Sequence, residues 1–322
     1  MVSSSGPTGD GASLKISVVI CTYNRADALP SAILSVLRQS VPPERFEVIV
    51  VDNNSTDDTA SVVKPMMAEH DNLRYVFEAR QGTSIARNRG WREARAPYVA
   101  YIDDDAEATA AWLGAVMEAL ATSSPKPVAL GGPILPLYRV PKPKWFKDEW
   151  ETATWGPEPR FLEGHELLHG SNMVVSRSAL ERVGGFCESL GPVGATYAQG
   201  EDTELFFRLQ ADSQGHIYYT PDAVVRHEVA THKMSVRYRM WRSFGSGQAW
   251  YEFRRPRSRP QRALLVAKEM GRIGLLLVRA VPIAYRCAYV RRWAVQTACP
   301  IMKALGRAYA AIRDSGTQRG AA

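Results

Sequence analysis

The sequence predicts an α/β protein built on a mostly parallel β-sheet that is flanked by helices. The first observation is a pair of nearly continuous apolar runs rich in β-branched residues, LKISVVICTY at 14–23 and FEVIVVD at 46–52. The second is the segment between them, 26–40, whose apolar residues recur at helical spacing. Strands that are buried on both faces and alternate with helices are typical of parallel sheets. The 322 residues, of which 45% are hydrophobic, are enough to bury a substantial core.

The alternation of strands and helices continues to about residue 125. Four further elements are predicted in this part, a helix at 56–68, a strand at 73–79, a helix at 84–94 and a strand at 98–105. The regularity then weakens in 123–150, where proline and aromatic residues predict an irregular segment. The remaining predicted elements are a strand and a helix within 170–186, a helix within 200–214 and a strand within 217–227.

The N-terminal residues and the cysteines both bear on location. Residues 1–13 are small and polar and lack the apolar core of a signal peptide, so we expect a disordered leader. The four cysteines are far apart and form no CxxC pair, which favours neither a disulfide framework nor a zinc knuckle. A reducing, cytoplasmic location is therefore expected. These cysteines are Cys21, Cys187, Cys287 and Cys299.

Charge divides the chain unequally. Residues 231–322 contain 19 lysines and arginines against 3 acidic residues, whereas residues 1–230 contain 21 against 30. An acidic part of this kind can hold a metal ion, and a basic part can meet phosphate, nucleic acid or anionic lipid. The split therefore predicts two functional surfaces.

The basic part is predicted to form one or two helices from Arg262 to about Val290. Arg272, Arg279 and Arg286 are seven residues apart and share one stripe, and cations interrupt each apolar run before the roughly 20 residues that a membrane span needs. Two interpretations stay open. The helices lie peripherally on an anionic membrane, or they pack on the catalytic domain or on a second copy in a homodimer. Because the arginines alternate with leucines, no nucleic-acid partner is expected.

Acidic residues mark the ends of two predicted strands. Asp103, Asp104 and Asp105 are consecutive, and Asp52 ends another strand. Three anions beside a core repel one another unless a positive charge lies among them. Since ligands of open α/β sheets bind beyond the carboxyl ends of the strands, the trio predicts a divalent cation. Asp52 has a second interpretation, in which the segment after it is a turn that caps the next helix.

The ordered set of motifs resembles the family-2 glycosyltransferases, which have the GT-A fold. The motifs are CTYNR at 21–25, VVDNNSTDDT at 50–59, GTSIARNRG at 82–90, DDD at 103–105, GSNMVVSR at 170–177, GEDTELFFRL at 200–209 and His227. The resemblance covers about residues 14–245. It implies an inverting, metal-dependent transfer of a sugar from a nucleoside diphosphate sugar, with UDP-sugar favoured, to an acceptor hydroxyl.

The resemblance also implies a domain organisation. A GT-A domain at 14–245 would consist of a nucleotide-binding half at 14–125 and an acceptor half at 126–245. A basic, amphipathic helical tail would follow at 246–322. By similarity the acceptor is a glycan or a lipid-linked glycan, in the synthesis of cell-surface polysaccharide or glycolipid.

The resemblance assigns the metal and donor residues. Asp105 and Asp103 would hold Mn²⁺ or Mg²⁺, with Asp103 also on the ribose side and Asp104 contributing. His227 would complete the metal shell, which favours Mn²⁺ because imidazole suits it better than Mg²⁺; a purely structural histidine is the other interpretation. Asp52 would accept the N3–H of uracil, although Asn53 stands where many relatives carry a second acid. The remaining nucleotide-sugar residues implied are Cys21, Tyr23, Arg25, Gly82, Arg87 and Asn88.

Helical geometry indicates the catalytic base. At about 100° per residue, Asp202 falls near the centre of the face formed by Leu205, Phe206 and Leu209, whereas Glu201 falls to one side. A carboxylate on the buried face of a helix needs a partner or a chemical task. The resemblance implies that Asp202 removes the proton of the acceptor hydroxyl and that Glu201 positions the acceptor.

Acceptor contacts are implied at Gly170, Ser171, Asn172 and Trp155, and for Trp155 simple packing is an equally good account.

The alternative activity is a sugar-phosphate nucleotidylyltransferase. Such an enzyme should have a glycine-rich, arginine-bearing loop after the first strand, where this chain has CTYNRADAL at 21–29. A further alternative is a protein that binds nucleic acid or membrane through its basic tail without catalysis.

Overall fold

The computed structural model describes residues 13–192, 200–212, 215–253, 256, 258–286 and 289–314. Apart from Ser13, the predicted leader lies outside the described residues, as does Cys287. The chain divides into two compact units, which are described separately below. The first unit comprises Met1–Leu137, Glu151–Gly194 and Glu201–Glu228, and the second comprises Tyr138–Trp150, Ala195–Gly200 and Val229–Ala322.

The strands all belong to the first unit. Those of the first half are β1 (Ile16–Thr22), β2 (Phe46–Asp52), β3 (Leu73–Phe77), β4 (Tyr98–Asp103) and β5 (Ala106–Ala108). Those that follow are β6 (Ala129–Gly131), β7 (Ile134–Leu137), β8 (Arg160–Phe161), β9 (Met173–Ser176), β10 (Ile217–Tyr219) and β11 (Val225–Glu228). The first four confirm the strands predicted from the apolar runs.

Helices alternate with the strands of the first unit and then make up most of the second. The first unit contains α1 (Leu29–Leu37), α2 (Thr59–Glu69), α3 (Thr83–Glu93), α4 (Trp112–Thr122), α5 (Arg177–Val183) and α6 (Glu201–Ala211). The second contains α7 (Val236–Phe253), α8 (Arg259–Arg286) and α9 (Val290–Arg313). The expected boundary between 245 and 246 falls inside α7, so a continuous helix runs through it.

The main sheet has eight strands in the order β3-β2-β1-β4-β9-β6-β10-β8. β3, β2, β1 and β4 pair in parallel, as do β6 and β10. β9 lies antiparallel between β4 and β6, and the short β8 is antiparallel at the edge. The mostly parallel α/β sheet predicted from the sequence is therefore confirmed. The parallel order brings the ends of β1, β2 and β4 to one edge, where the acidic motifs lie.

Both faces of this sheet are buried, as the continuous apolar runs predict. Along β1, Val18 and Ile20 pack into one core cluster and Val19 packs into the other. On the second face α3 lies very close to β1, because a Cβ at Gly90 would overlap the side chain of Val19. This close approach fixes α3, and with it Arg87 one turn earlier, against the sheet edge.

A second, three-stranded sheet has the order β5-β11-β7. β11 is antiparallel to β5, with His227 opposite Ala106, and parallel to β7. The backbone N–H of Glu228 also donates to the carbonyl of Asp105 at 2.8 Å. Because β5 begins directly after the three aspartates, this small sheet brings His227 to the end of β4.

The second unit is built from its three helices and the segment 138–150. Glu269 of α8 and Arg307 of α9 form a buried ion pair, with Nη2 2.6 Å from Oε2. Trp145 and Phe146 pack with Val295 of α9 in an apolar cluster. The tail helices thus pack on other parts of their own chain. Among the helices of the described residues, none is both long and apolar enough to span a bilayer.

Candidate active site

Asp103, Asp105 and His227 form the centre of the candidate site. Each offers a ligand atom, and these atoms lie within 4.8 Å of one another. His227 Nε2 is 3.2 Å from Asp105 Oδ1 and 3.6 Å from Asp103 Oδ2. Two carboxylates and an imidazole that converge in this way are a donor set that suits Mn²⁺. The residues fit a divalent cation, as the resemblance implied.

The pKa values of His227 and Asp103 are set by the close packing of charged side chains in this cluster. Burial opposes the charged form of His227, yet its hydrogen bonds to Asp103 and Asp105 raise its pKa to about 10. Burial likewise opposes the charged form of Asp103, but His227 and Arg87 lower the pKa of that carboxyl. The protonated imidazole therefore supplies the positive charge that the two aspartates need.

Asp104 has a different environment from its two neighbours. Its Oδ2 accepts a hydrogen bond from Thr22 Oγ1 at 2.8 Å, which ties the end of β4 to the end of β1. Burial and the adjacent charge of Asp105 raise the pKa of Asp104 to about 7. Arg25 reaches the same cluster from outside, with Nη1 3.4 Å from Asp105 Oδ2. The exposed Arg25 side chain is placed to contact an anion that enters here.

Arg87 is the buried cation of the site. Its Nη1 lies 2.9 Å from Glu201 Oε1 and its Nη2 lies 3.5 Å from Asp103 Oδ1, so one guanidinium joins α3, β4 and α6. Burial alone would lower its pKa, but the charges of Glu201 and Asp103 raise it. A Cβ at Gly170 would come within 2.6 Å of Arg87 Nη2, so a larger residue there would require this buried guanidinium to shift. Arg87 therefore remains charged and bridges the two carboxylates.

Asp202 lies at the start of α6 and points to the segment that precedes β9. Its Oδ2 accepts a hydrogen bond from the backbone N–H of Gly170 at 3.1 Å, and its Oδ1 accepts one from the N–H of Thr203 at 2.7 Å. Asp202 is half-buried, whereas Glu201 is only 7% exposed. The helical-wheel argument that placed Asp202 inward and Glu201 to one side is thus wrong about burial, because Arg87 draws Glu201 inward.

The polar side chains at the end of β2, Asp52 and Asn53, form hydrogen bonds with other parts of the protein. Asp52 is 2% exposed; its Oδ1 accepts from the N–H of Ser55 at 2.8 Å and its Oδ2 from the Tyr75 hydroxyl at 2.5 Å. Asn53 accepts from the N–H of Gly82 at 2.8 Å. In this structure both side chains hold loops, as the turn interpretation of Asp52 expects, but neither Ser55 nor Thr56 caps α2, whose N-cap is Asp58. Sequence reasoning missed Tyr75, because nothing in a strand pattern reveals which hydroxyl reaches a distant carboxylate.

The loop after β1 carries the exposed donor-side candidates. Tyr23 is 36% exposed, and Arg25 is also exposed. Asn24, at φ 52°, accepts a hydrogen bond from the N–H of Thr56 at 2.7 Å, so this loop is tied to the loop after β2. Cys21 sits beside Asp103, and burial raises the pKa of its thiol to about 12. Tyr23 and Arg25 line an accessible rim, whereas Cys21 is a neutral lining residue.

Three expected contact residues prove to have structural partners. Asn88 is 1% exposed, and its amide bonds both the carbonyl and the N–H of Phe186. Asn172 is completely buried; its Nδ2 donates to the carbonyls of Pro133 and Ala223, and its Oδ1 accepts from Trp112 Nε1. Trp155 packs on the core and donates to the carbonyl of Leu167. In this structure the amides of Asn88 and Asn172 anchor loops, and their expected roles at the nucleotide and at the acceptor stay predictions.

Comparison with known proteins agrees with this geometry. Residues 17–184 match the sequence profile described as glycosyl transferase family 2. The chain is 28% identical to the glucosyl-dolichyl phosphate glucuronosyltransferase of Haloferax volcanii, over 73% of this chain and 75% of that protein. It is 29% identical to the succinoglycan biosynthesis protein ExoM of Rhizobium meliloti, over 73% and 74% of the two chains.

Solved structures share the fold. The mannosyltransferase PcManGT from Pyrobaculum calidifontis, in complex with GDP-Man and Mn²⁺, superposes with a TM-score of 0.61 at 21% identity, over 94% of this chain and 88% of that one. GalNAc-T7 with UDP, GalNAc and Mn²⁺ gives a TM-score of 0.55 at 15% identity, over 77% and 52%. The predicted GT-A fold is confirmed, and the family match decides against the nucleotidylyltransferase. The chain belongs to glycosyl transferase family 2, and it is a glycosyltransferase.

Proposed function

We propose that the protein is a metal-dependent, inverting glycosyltransferase that moves a sugar from a nucleoside diphosphate sugar to an acceptor hydroxyl. The observation that carries this proposal is the convergence of Asp103, Asp105 and His227 at the same sheet edge as the Glu201–Arg87 pair. Asp202, the neighbour of Glu201, then offers a carboxylate for the acceptor. The residues proposed for the metal and the base thus lie at one edge of the sheet.

Asp103, Asp105 and His227 would hold the ion, Mn²⁺ or Mg²⁺. When bound, such an ion neutralises the negative charge that grows on the departing diphosphate. The chain's own part is to keep the three ligands oriented: β11 fixes His227 through its pairing with β5, and Arg87 fixes Asp103. His227 must lose its proton to become a ligand.

Asp202 is the proposed general base. Its carboxylate takes the proton of the acceptor hydroxyl while the hydroxyl oxygen forms a bond to the anomeric carbon and the bond from that carbon to the phosphate oxygen breaks. Attack from the face opposite the leaving group inverts the anomeric centre. The hydrogen bond from the Gly170 N–H aims Asp202, and Arg87 holds Glu201 beside it as a positioning residue.

The donor is proposed to be a UDP-sugar, with Tyr23 and Arg25 on its accessible side. The support is Asp52, whose carboxylate is suited to accept the N3–H of uracil. Both carboxylate oxygens of Asp52 already accept hydrogen bonds, from Ser55 and from Tyr75. Uracil binding therefore requires the loop after β2 to open slightly. A donor with another base that stabilises the protein more than UDP-sugars would contradict this assignment.

The acceptor is proposed to be a glycan, free or lipid-linked, in the synthesis of cell-surface polysaccharide or glycolipid. Two relatives support this proposal. One is a succinoglycan biosynthesis protein, and the other is a glucosyl-dolichyl phosphate glucuronosyltransferase. Ser171, which is 8% exposed, and Gly170 are the acceptor-side candidates nearest the proposed base.

We propose further that α8 lies on an anionic membrane, which would make the protein peripheral. Leu264, Leu275 and Val278 fall on one helical stripe and are 71%, 51% and 73% exposed. Exposed Lys268, Arg272 and Arg279 flank this stripe, at about 40–80° around the helix. An exposed apolar stripe with cations beside it is the pattern of an interfacial helix. The interpretation as a dimer surface predicts instead a mass of two chains in solution.

The proposed activity is tested by measuring nucleotide release with a panel of UDP-, GDP- and dTDP-sugars, with Mn²⁺, with Mg²⁺ and with EDTA. We expect donor-dependent thermal stabilisation and turnover only when a divalent ion is present. Metal-independent turnover, or no stabilisation by any donor with Mn²⁺, would overturn it.

The α8 proposal is tested separately by co-sedimentation with phosphatidylcholine vesicles, with and without phosphatidylglycerol. Val278→Glu should release the protein, whereas Phe77→Glu, at a residue that is 50% exposed in the first unit, should not.

A further inference from the structure

A small cleft lies wholly within the second unit, apart from the candidate active site. It has a volume of about 140 Å³ and lies between α7, α9 and the segment that ends at Trp150. Its lining residues are Trp150, Arg239, Arg242, Ser243, Ser246 and Lys303. Among these lining residues, all of which the structure describes, three are cationic and none is a carboxylate.

The positions of these residues make them converge. On α7, Arg239, Arg242, Ser243 and Ser246 are related by steps of three and four residues, which puts their side chains on one face. Lys303 approaches from α9. Arg242 and Lys303 are exposed, and the two serines are half-buried. The Ser243 side chain is hydrogen-bonded to Cys299. The cleft is therefore lined by exposed charged donors and by less exposed hydroxyl groups.

Arg239 is held in position before any ligand arrives. Its Nη2 donates to the carbonyl of Trp150 at 3.1 Å, and its guanidinium lies 5.4 Å from the Trp150 ring and 5.6 Å from the Phe146 ring. A planar guanidinium fixed by stacking loses little side-chain entropy when it binds an oxyanion. The Arg239 guanidinium is therefore a preorganised hydrogen-bond donor.

The charge around the cleft is strongly positive. Its lining carries three cationic side chains and no carboxylate. Partial burial and the charges of Arg307 and Arg272 lower the pKa of Lys303. An anion bound beside Lys303 would relieve this crowding of like charge.

We propose that this cleft binds a phosphate group. Phosphate oxygens accept charge-assisted hydrogen bonds from arginine and lysine and further bonds from serine hydroxyls, which are the donors that line the cleft. The group can come from free inorganic phosphate or from a phospholipid headgroup. The site does not involve the metal and base residues, so its existence is independent of the proposed transfer reaction.

The test is calorimetric titration of the full chain with two probes at constant ionic strength, inorganic phosphate and monomeric dihexanoylphosphatidylglycerol. The site variant is Arg242→Gln with Lys303→Gln, since both side chains are exposed and their loss should not disturb folding. The control is Arg237→Gln with Arg291→Gln, which removes the same charge from exposed positions of the same unit that do not line the cleft. Thermal melts of all variants check that they fold.

We expect at least one probe to bind the wild type and the control with similar affinity, and the site variant to bind it at least tenfold more weakly. Tighter binding of inorganic phosphate assigns the site to the free anion, and tighter binding of the lipid assigns it to a headgroup. The proposal is overturned if neither probe binds, or if the control loses as much affinity as the site variant.

Discussion

Replacing Asp202 with asparagine tests the proposed base with almost no change of shape. Asp202 accepts two backbone hydrogen bonds, one through each carboxylate oxygen, from Gly170 and Thr203. Asparagine has one acceptor oxygen, so its amide group must face one of these N–H donors. We therefore expect Asp202→Asn to lose one charge-assisted bond and about 1.5 kcal/mol of stability, the lower end of the usual range because Asp202 is half-exposed.

The two consequences of this change differ greatly in size. A loss of about 1.5 kcal/mol lowers the melting temperature by roughly 3–6 °C, so the variant remains folded at assay temperature. Loss of a general base lowers the rate by about 10²–10⁴-fold. Donor binding should be unchanged, because Asp202 is not among the residues assigned to the nucleotide or the metal. The expected signature is a large fall in kcat with an unaltered donor Kd.

The matched control is Glu204→Gln on the same helix. Glu204 pairs with Arg208 one turn later, at 2.6 Å, and removing it takes away the same charge from α6. Its loss should cost a few tenths of a kcal/mol and leave turnover within about twofold of wild type. Nucleotide release, donor calorimetry and thermal melts on one preparation give the needed comparison. Turnover of Asp202→Asn within about threefold of wild type, or an equal loss in Glu204→Gln, would refute the assignment of the base.

Three further predictions concern other parts of the site. Arg87→Met leaves buried Glu201 without its cation, so we expect a loss of about 3–5 kcal/mol and a melting temperature about 6–20 °C lower; an unchanged melt contradicts the pairing. Asp105→Ala should remove Mn²⁺-dependent donor binding in calorimetry, and intact metal dependence would exclude Asp105 as a ligand. Because Cys21 has a pKa near 12, its alkylation followed by mass spectrometry should quicken about tenfold per pH unit from pH 7 to 10; a plateau near pH 8 would contradict this.

Much of the fold could be predicted because its signals are local. β1 and β2 are nearly continuous apolar runs, and the helical spacing between them leaves few alternatives to a parallel strand–helix–strand unit. The position of β9, antiparallel between β4 and β6, could not be predicted from the sequence, because a short apolar run does not show which strands it pairs with. The small sheet that carries His227 was likewise missed, because β5 and β11 are three and four residues long.

The candidate site was predictable where charge itself was the signal. Three adjacent aspartates at the end of a buried strand predict a positive charge among them, and His227 joins Asp103 and Asp105 in the structure. The neutral polar residues were harder, because an asparagine that binds a ligand and one that anchors a loop look alike in sequence. The structure shows that Asn88 and Asn172 both donate to carbonyls far along the chain, which the sequence alone does not reveal.

The burial of Glu201 illustrates the same limit on a helix. A helical wheel considers only neighbours on the helix itself, and it placed Glu201 to one side. Its partner Arg87 is 114 residues earlier in the chain, and this ion pair decides which carboxylate is drawn inward.

The guanidinium of Arg87 is shared between Asp103, which is proposed to lie on the donor side, and Glu201, which is proposed to lie on the acceptor side. A displacement toward one carboxylate weakens its hold on the other, so occupancy on the donor side changes the free energy of ordering the acceptor side. By thermodynamic reciprocity the acceptor exerts the same influence on the donor. A single cation thus couples the proposed donor and acceptor sides of the site.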